Sequence, residues 1–126
     1  MAIDVDAITK QVVEAMRASV GDLPREELAA VEAQAKALAA ALARIGEERL
    51  AGNINDEQAR AFLKAESEAV QAGLIAKAGL ASQRAGATLQ AGLKALVTAA
   101  LNAVGLDWAG PAIEKLLAQI DASATG

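Results

Sequence analysis

The chain has 126 residues, a formal net charge of −4, and neither Cys nor His. That length allows one domain with a modest core, and the two missing residue types exclude disulfides and thiolate or imidazole metal sites. An acidic chain with one Phe, one Trp and no Tyr also lacks the basic stripe and stacking aromatics of a nucleic-acid binder.

More than half of the residues are apolar, with Ala prominent among them. Helices rich in Ala approach closely, but each contact buries little area, and burial stabilises by roughly 25 cal/mol per Å². Such a chain is expected to gain from assembly. The first ten residues, MAIDVDAITK, are acidic and contain no apolar run, which does not read as a cleavable signal. The most apolar stretch, residues 95–106, is far short of the ~20 residues that a spanning helix needs. The expected location is the cytoplasm or the interior of a particle.

No stretch alternates with a period of two, so no strand is expected. The first helix is predicted over about residues 5–19, capped by Asp4 or Asp6. Ile8, Val12, Ala15, Met16 and Val20 form one face, and Gly21 stops the helix. Pro24 suits the first turn of the next helix, and Glu26 and Glu27 face the positive end of its dipole. This second helix runs to about Leu50. Leu28, Val31, Ala35, Leu38, Leu42 and Ile45 alternate spacings of three and four, a heptad seam suited to a helical hairpin. Ala29, Ala33, Ala37 and Ala41 recur every four residues roughly opposite that seam. They read either as helix-favouring residues on a solvated face or as a second, close helix contact.

Gly52 and Asn53 end the second helix, and Asn55 with Gln58 forms a variant capping box for a third. Ala59, Phe62, Leu63, Ala69 and Val70 are expected on its inner side. The chain then enters residues 69–106, which contain no Asp, Glu, Pro or aromatic; Lys77, Arg84 and Lys94 are the only charges. Within it a polar–Ala–Gly–X unit recurs, placing Gly73, Gly79, Gly86 and Gly92 at near-regular spacing. A glycine inside a helix costs about 1 kcal/mol against Ala, so four of them need a reason. The candidates are close helix approach, a break near Gly79 or Gly86, or a helix completed only on docking. An unbroken helix from Asp56 to Val104 would be about 73 Å long at 1.5 Å per residue, too long for a compact domain of this size.

A helical wheel puts Leu89, Leu93, Leu96, Val97, Ala100 and Val104 on one face of this segment. Lys77, Arg84, Thr88, Lys94, Thr98 and Asn102 lie on the other. That is the composition of an interfacial membrane helix, without the aromatic anchors and dense Lys of strong binders. Residues 106–111 signal a turn, with Trp108 either plugging a bundle end or anchoring an interface. Pro111 opens a final helix with Ile113, Leu116, Leu117 and Ile120 as its stripe, and residues 122–126 read as a tail.

No catalytic constellation is present. Ser19, Ser67, Ser82 and Ser123 carry no motif, helical di-iron Glu-x-x-His pairs are impossible without His, and Asn53–Asp56 lacks the spaced ligands of a calcium loop. The expected fold is all-α, a single domain over residues 1–126 built as a helical hairpin or small bundle of four to five helices. Its parts are an N-terminal pair over 5–50, a long, interrupted Gly/Ala-rich third helix over 55–106, and a last helix over 107–121. The expected role is non-enzymatic: a structural or assembly protein, for instance a component of a phage or other virion particle. It would self-associate through Ala29, Ala33, Ala37, Ala41, Gly73, Gly79, Gly86, Gly92 and Trp108. The alternative is a peripheral membrane- or granule-surface protein acting through residues 86–106, with Leu89, Leu93, Lys94, Leu96, Val97 and Val104 as its face. No cofactor, metal or nucleic-acid partner is expected.

Overall fold

The computed structural model describes the backbone of residues 5–101 and 108–125, and side chains up to residue 99 and from 108 to 118. Among the described residues there are five α-helices and no strand: α1 (Val5–Val20), α2 (Arg25–Leu50), α3 (Asp56–Ala76), α4 (Ser82–Leu101) and α5 (Ala109–Thr125). The chain is an all-α small bundle. Val104, Asn102 and Asp107, and the side chains of Ala100 and Ile120, lie outside the described residues.

Short connections between α1, α2, α3 and α4 turn the chain back on itself each time, in an up-down-up-down order. α1 packs against α2 and α4, and α2 packs against α3, which closes on α4; α5 lies along α4. Arg17 near the end of α1 pairs with Glu32 near the start of α2 at 3.3 Å, as antiparallel neighbours must. At the same end of the bundle, the Arg84 guanidinium in the first turn of α4 donates to the carbonyl of Val20, the last residue of α1. A cation there also meets the negative end of the α1 dipole.

The helix ends follow local chemistry. α2 closes with a Schellman motif. The Asn53 N–H donates to the Glu48 carbonyl at 3.0 Å and the Gly52 N–H to the Arg49 carbonyl at 3.2 Å. Gly52 sits at φ +79°, a left-handed conformation that a Cβ would strain. α3 then starts with a full capping box. The Gln58 N–H donates to the Asn55 side chain at 2.8 Å, and the Asn55 N–H donates to the Gln58 side chain at 2.9 Å. Arg49 also pairs with Asp56 across this turn. Asn55→Ala is expected to cost about 1 kcal/mol, read as a lower midpoint in urea without a change in slope.

Two expectations about boundaries shift. Pro24 is the cap residue of α2 rather than part of its first turn, its carbonyl accepting from Leu28 N–H at 2.9 Å. α5 continues as helix through Thr125, so residues 122–125 are not an unstructured tail; Ala and Ser continue a helix where no Gly or Pro interrupts it.

The core is one contiguous cluster. Ile8, Val12, Met16 and Val20 of α1 meet the α2 seam, where Val31, Ala35, Leu38, Leu42 and Ile45 are buried and Leu28 is partly so. Leu63, Val70 and Leu74 of α3 and Leu89, Leu93 and Leu96 of α4 complete the interior, and Trp108 and Ile113 extend it under α5. Phe62 and Ala69 do not join it: both are exposed, on the flank of α3 that turns toward the outer side of α2. The two buried hydroxyls donate back along their own helices, Ser67 to Leu63 and Thr88 to Arg84, at 2.8 and 2.9 Å. Thr88 therefore belongs to the buried side of α4, not to its polar face; the internal hydrogen bond meets its polar demand.

Candidate functional site

The residues singled out for close contact divide into three groups. The first faces inward. A Cβ on Gly92 would stand 2.8 Å from Met16 Sδ and 3.3 Å from Leu38 Cδ2. A Cβ on Gly73 would stand 2.5 Å from the Gln34 side-chain amide. Gly86 is buried. Gly92 lets α4 approach α1 and α2, and Gly73 lets α3 approach α2, inside one copy of the chain. Trp108, 8% exposed, is likewise a core residue. Its indole N–H has no partner among the described residues.

Gly79 forms the second group. It has φ +71° and sits in the turn that separates α3 from α4, where the Leu80 N–H returns to the Leu74 carbonyl at 3.1 Å. The acid-free segment is thus divided between two helices: residues 69–76 complete α3, and α4 begins at Ser82. The amphipathic character of the second is spent within the bundle. Leu89, Leu93 and Leu96 are buried, Val97 is half-buried, and Lys94 is exposed on the opposite side.

The third group faces outward. Ala29, Ala33 and Ala37 are exposed, joined by Ala40, while Ala41 is buried. Four residues turn a helix by 400°, so a spacing of four drifts 40° per step. Over three steps the stripe winds off the outer face and carries Ala41 into the contact with α3. On α3 an equivalent flank, not evident from the α2 pattern, is formed by Ala61, Ala65, Ala69, Ala72 and Ala76, all exposed. Phe62, Ala65 and Glu66 of α3 line one groove with Ala41, Arg44, Ile45 and Glu48 of α2 and Ile54 of the connection between them, so Ala65 of the α3 flank stands at the α2–α3 groove. The groove has a volume of about 460 Å³. Phe62, 52% exposed, stands at it. Its signal in the sequence is the spacing of three and four between alanines along residues 61–76.

Among the described residues no three carboxylates gather in a way that could hold a metal ion. None of the described helices is long and apolar enough to cross a membrane. The chain matches no family model, no curated protein and no solved structure.

Proposed function

We propose that this chain is a non-enzymatic structural protein that associates with copies of itself through the outer flanks of α2 and α3, as a repeating part of a larger particle such as a virion. The observation that carries this reading is the exposed Ala flank on each of α2 and α3. Between Glu26 and Arg44 the outer side of α2 bears Ala29, Ala33, Ala37 and Ala40 and a single charge, Lys36. Small side chains let a further helix pack closely. The glycines support the reading differently from the way their spacing suggests: they make the subunit compact and leave the Ala flanks as its free side.

A peripheral membrane role for residues 86–106 has weaker support. Its apolar face, Leu89, Leu93 and Leu96, already lies in the core, so that role requires α4 to leave the bundle.

Light scattering after size exclusion, across a concentration series, tests the proposal. A discrete oligomer is expected. Ala37→Arg puts bulk and charge on an exposed site, and should leave helix content unchanged while weakening association by about tenfold or more. A chain that remains monomeric at every concentration refutes the proposal.

A further inference from the structure

We infer that the α3–α4 turn is a hinge between two forms of this chain. One is the hairpin. The other is a continuous helix over Asp56–Leu101 that carries α4 and α5 onto α1 and α2 of a second copy, whose own α4 and α5 fill the vacated place. This exchange uses neither Ala flank, so it goes beyond the self-association reading and fails separately from it.

The turn is weakly encoded. Residues 77–81 read Lys-Ala-Gly-Leu-Ala, with no Pro, Asn, Asp or β-branched residue, and all but Gly79 favour helix. The Ala85 N–H donates to the Ala81 carbonyl at 2.8 Å, which makes Ala81 the cap of α4. Ala has no side-chain oxygen to offer there and is a poor cap.

The buried faces of the two helices are in phase. At 100° per residue, every buried residue from Ala59 to Ala99 except Leu80 falls on one half of a continuous helix, an arc of about 180°. Ala78, inside the turn, lies in that arc between Leu74 and Ala85. Two helices joined by a turn need no common phase, whereas one amphipathic helix does. A two-fold axis at the turn sets two such long helices antiparallel, and the α4 face of each then meets the other copy's α1 and α2. The contacts of the bundle are re-made between copies, as in other exchanges of an identical element. Arg84, which donates to the Val20 carbonyl of its own chain, donates to the second copy's Val20 instead.

Two locks hold the hairpin. Gly79 sits at φ +71°, and a Cβ there would meet only Glu27 Oε1, at 4.0 Å, so the obstacle to a side chain is the backbone conformation alone. Leu80 is 5% exposed in the turn but falls on the outer half of a continuous helix. Gly79→Ala removes the first lock twice over, by straining the turn and by favouring helix through it. It should shift the balance toward exchange about thirtyfold or more.

The experiment is a distance measurement between spin labels on Glu57→Cys and Lys94→Cys, both exposed sites in a chain without native Cys. Labelled chains are refolded with excess unlabelled chain, so that only distances within one copy are read. The hairpin gives under about 30 Å and the continuous helix about 55 Å. The parent should read the short distance and Gly79→Ala the long one. Gly79→Asn, which tolerates the left-handed conformation, should stay short. Adding Ser82→Pro to Gly79→Ala should restore the short distance, because Pro is accepted in the first turn of α4 and breaks a helix interior. Ala37→Arg added to Gly79→Ala should leave the distance long, and sedimentation equilibrium on that double variant should read a dimer. A short distance in Gly79→Ala overturns the hinge, and so does loss of its helical signal, since no continuous form is then there to relieve the strain. A long distance in a chain that sediments as a monomer overturns the exchange.

Discussion

Gly92→Leu should destabilise the protein by about 3 kcal/mol through overpacking, roughly 10 °C in thermal midpoint for a domain of this size. Gly92 is buried where α4 crosses α1 and α2, and even a Cβ there would meet Met16 Sδ at 2.8 Å and Met16 Cγ at 3.0 Å. Met16 and Leu38 are both fully buried, so neither side chain has space to withdraw into. Gly73→Ala is the informative contrast. The Cβ there meets only the amide end of Gln34, a half-exposed and flexible side chain that can swing outward. Removing a glycine from the last turn of α3 gains up to about 1 kcal/mol of helix propensity, so this change should be neutral or mildly stabilising. Differential scanning calorimetry on both variants checks the pair. Equal losses would mean that Gln34 is held as rigidly as Met16.

Leu93→Asp should abolish the cooperative fold. Leu93 is completely buried. Truncating such a Leu typically costs about 2–5 kcal/mol, and an unpaired carboxylate in the same space adds a further penalty of several kcal/mol. Together these rival the whole stability of a small domain, about 5–15 kcal/mol. Lys94→Glu, on the exposed next residue, should leave the far-UV circular dichroism and the urea midpoint nearly unchanged. The same pair separates the two functional readings. If Leu93→Asp stays folded but no longer binds anionic vesicles that the parent binds, the apolar side of α4 is a working surface and not core.

The helix ends were the most legible part of the chain. Asn55 with Gln58, Gly52 after Leu50 and Gly21 after Val20 act through hydrogen bonds and φ values within a few residues, so local sequence contains all the information they need. The α2 seam was legible for a related reason: six apolar residues at alternating spacings of three and four admit one buried side. Phe62 was not. Periodicity put it inward with Leu63, yet it lies at the edge of the buried arc, and the position of α2 decides on which side of that edge it falls. The same holds for Ala41, which is one of four equally spaced alanines but the only buried one.

The four glycines show where local information runs out. Their spacing signals close approach, a break or flexibility, and these alternatives cost the isolated chain about the same. Within the bundle they separate. Gly79 takes a left-handed conformation in the turn between α3 and α4, while Gly73 and Gly92 admit Gln34 and Met16 from neighbouring helices. The sequence alone determined that the protein is all-helical, where α1 and α2 end, and which side of each is apolar, because propensity, capping and periodicity act over a turn or two of helix. Tertiary structure decided what each apolar side meets. It consumed Leu89, Leu93 and Leu96 in the core and left the Ala flanks of α2 and α3, with Phe62 between them, on the outside. A side chain's burial depends on neighbours tens of residues away in the chain, and no short-range rule encodes which helix will lie against which.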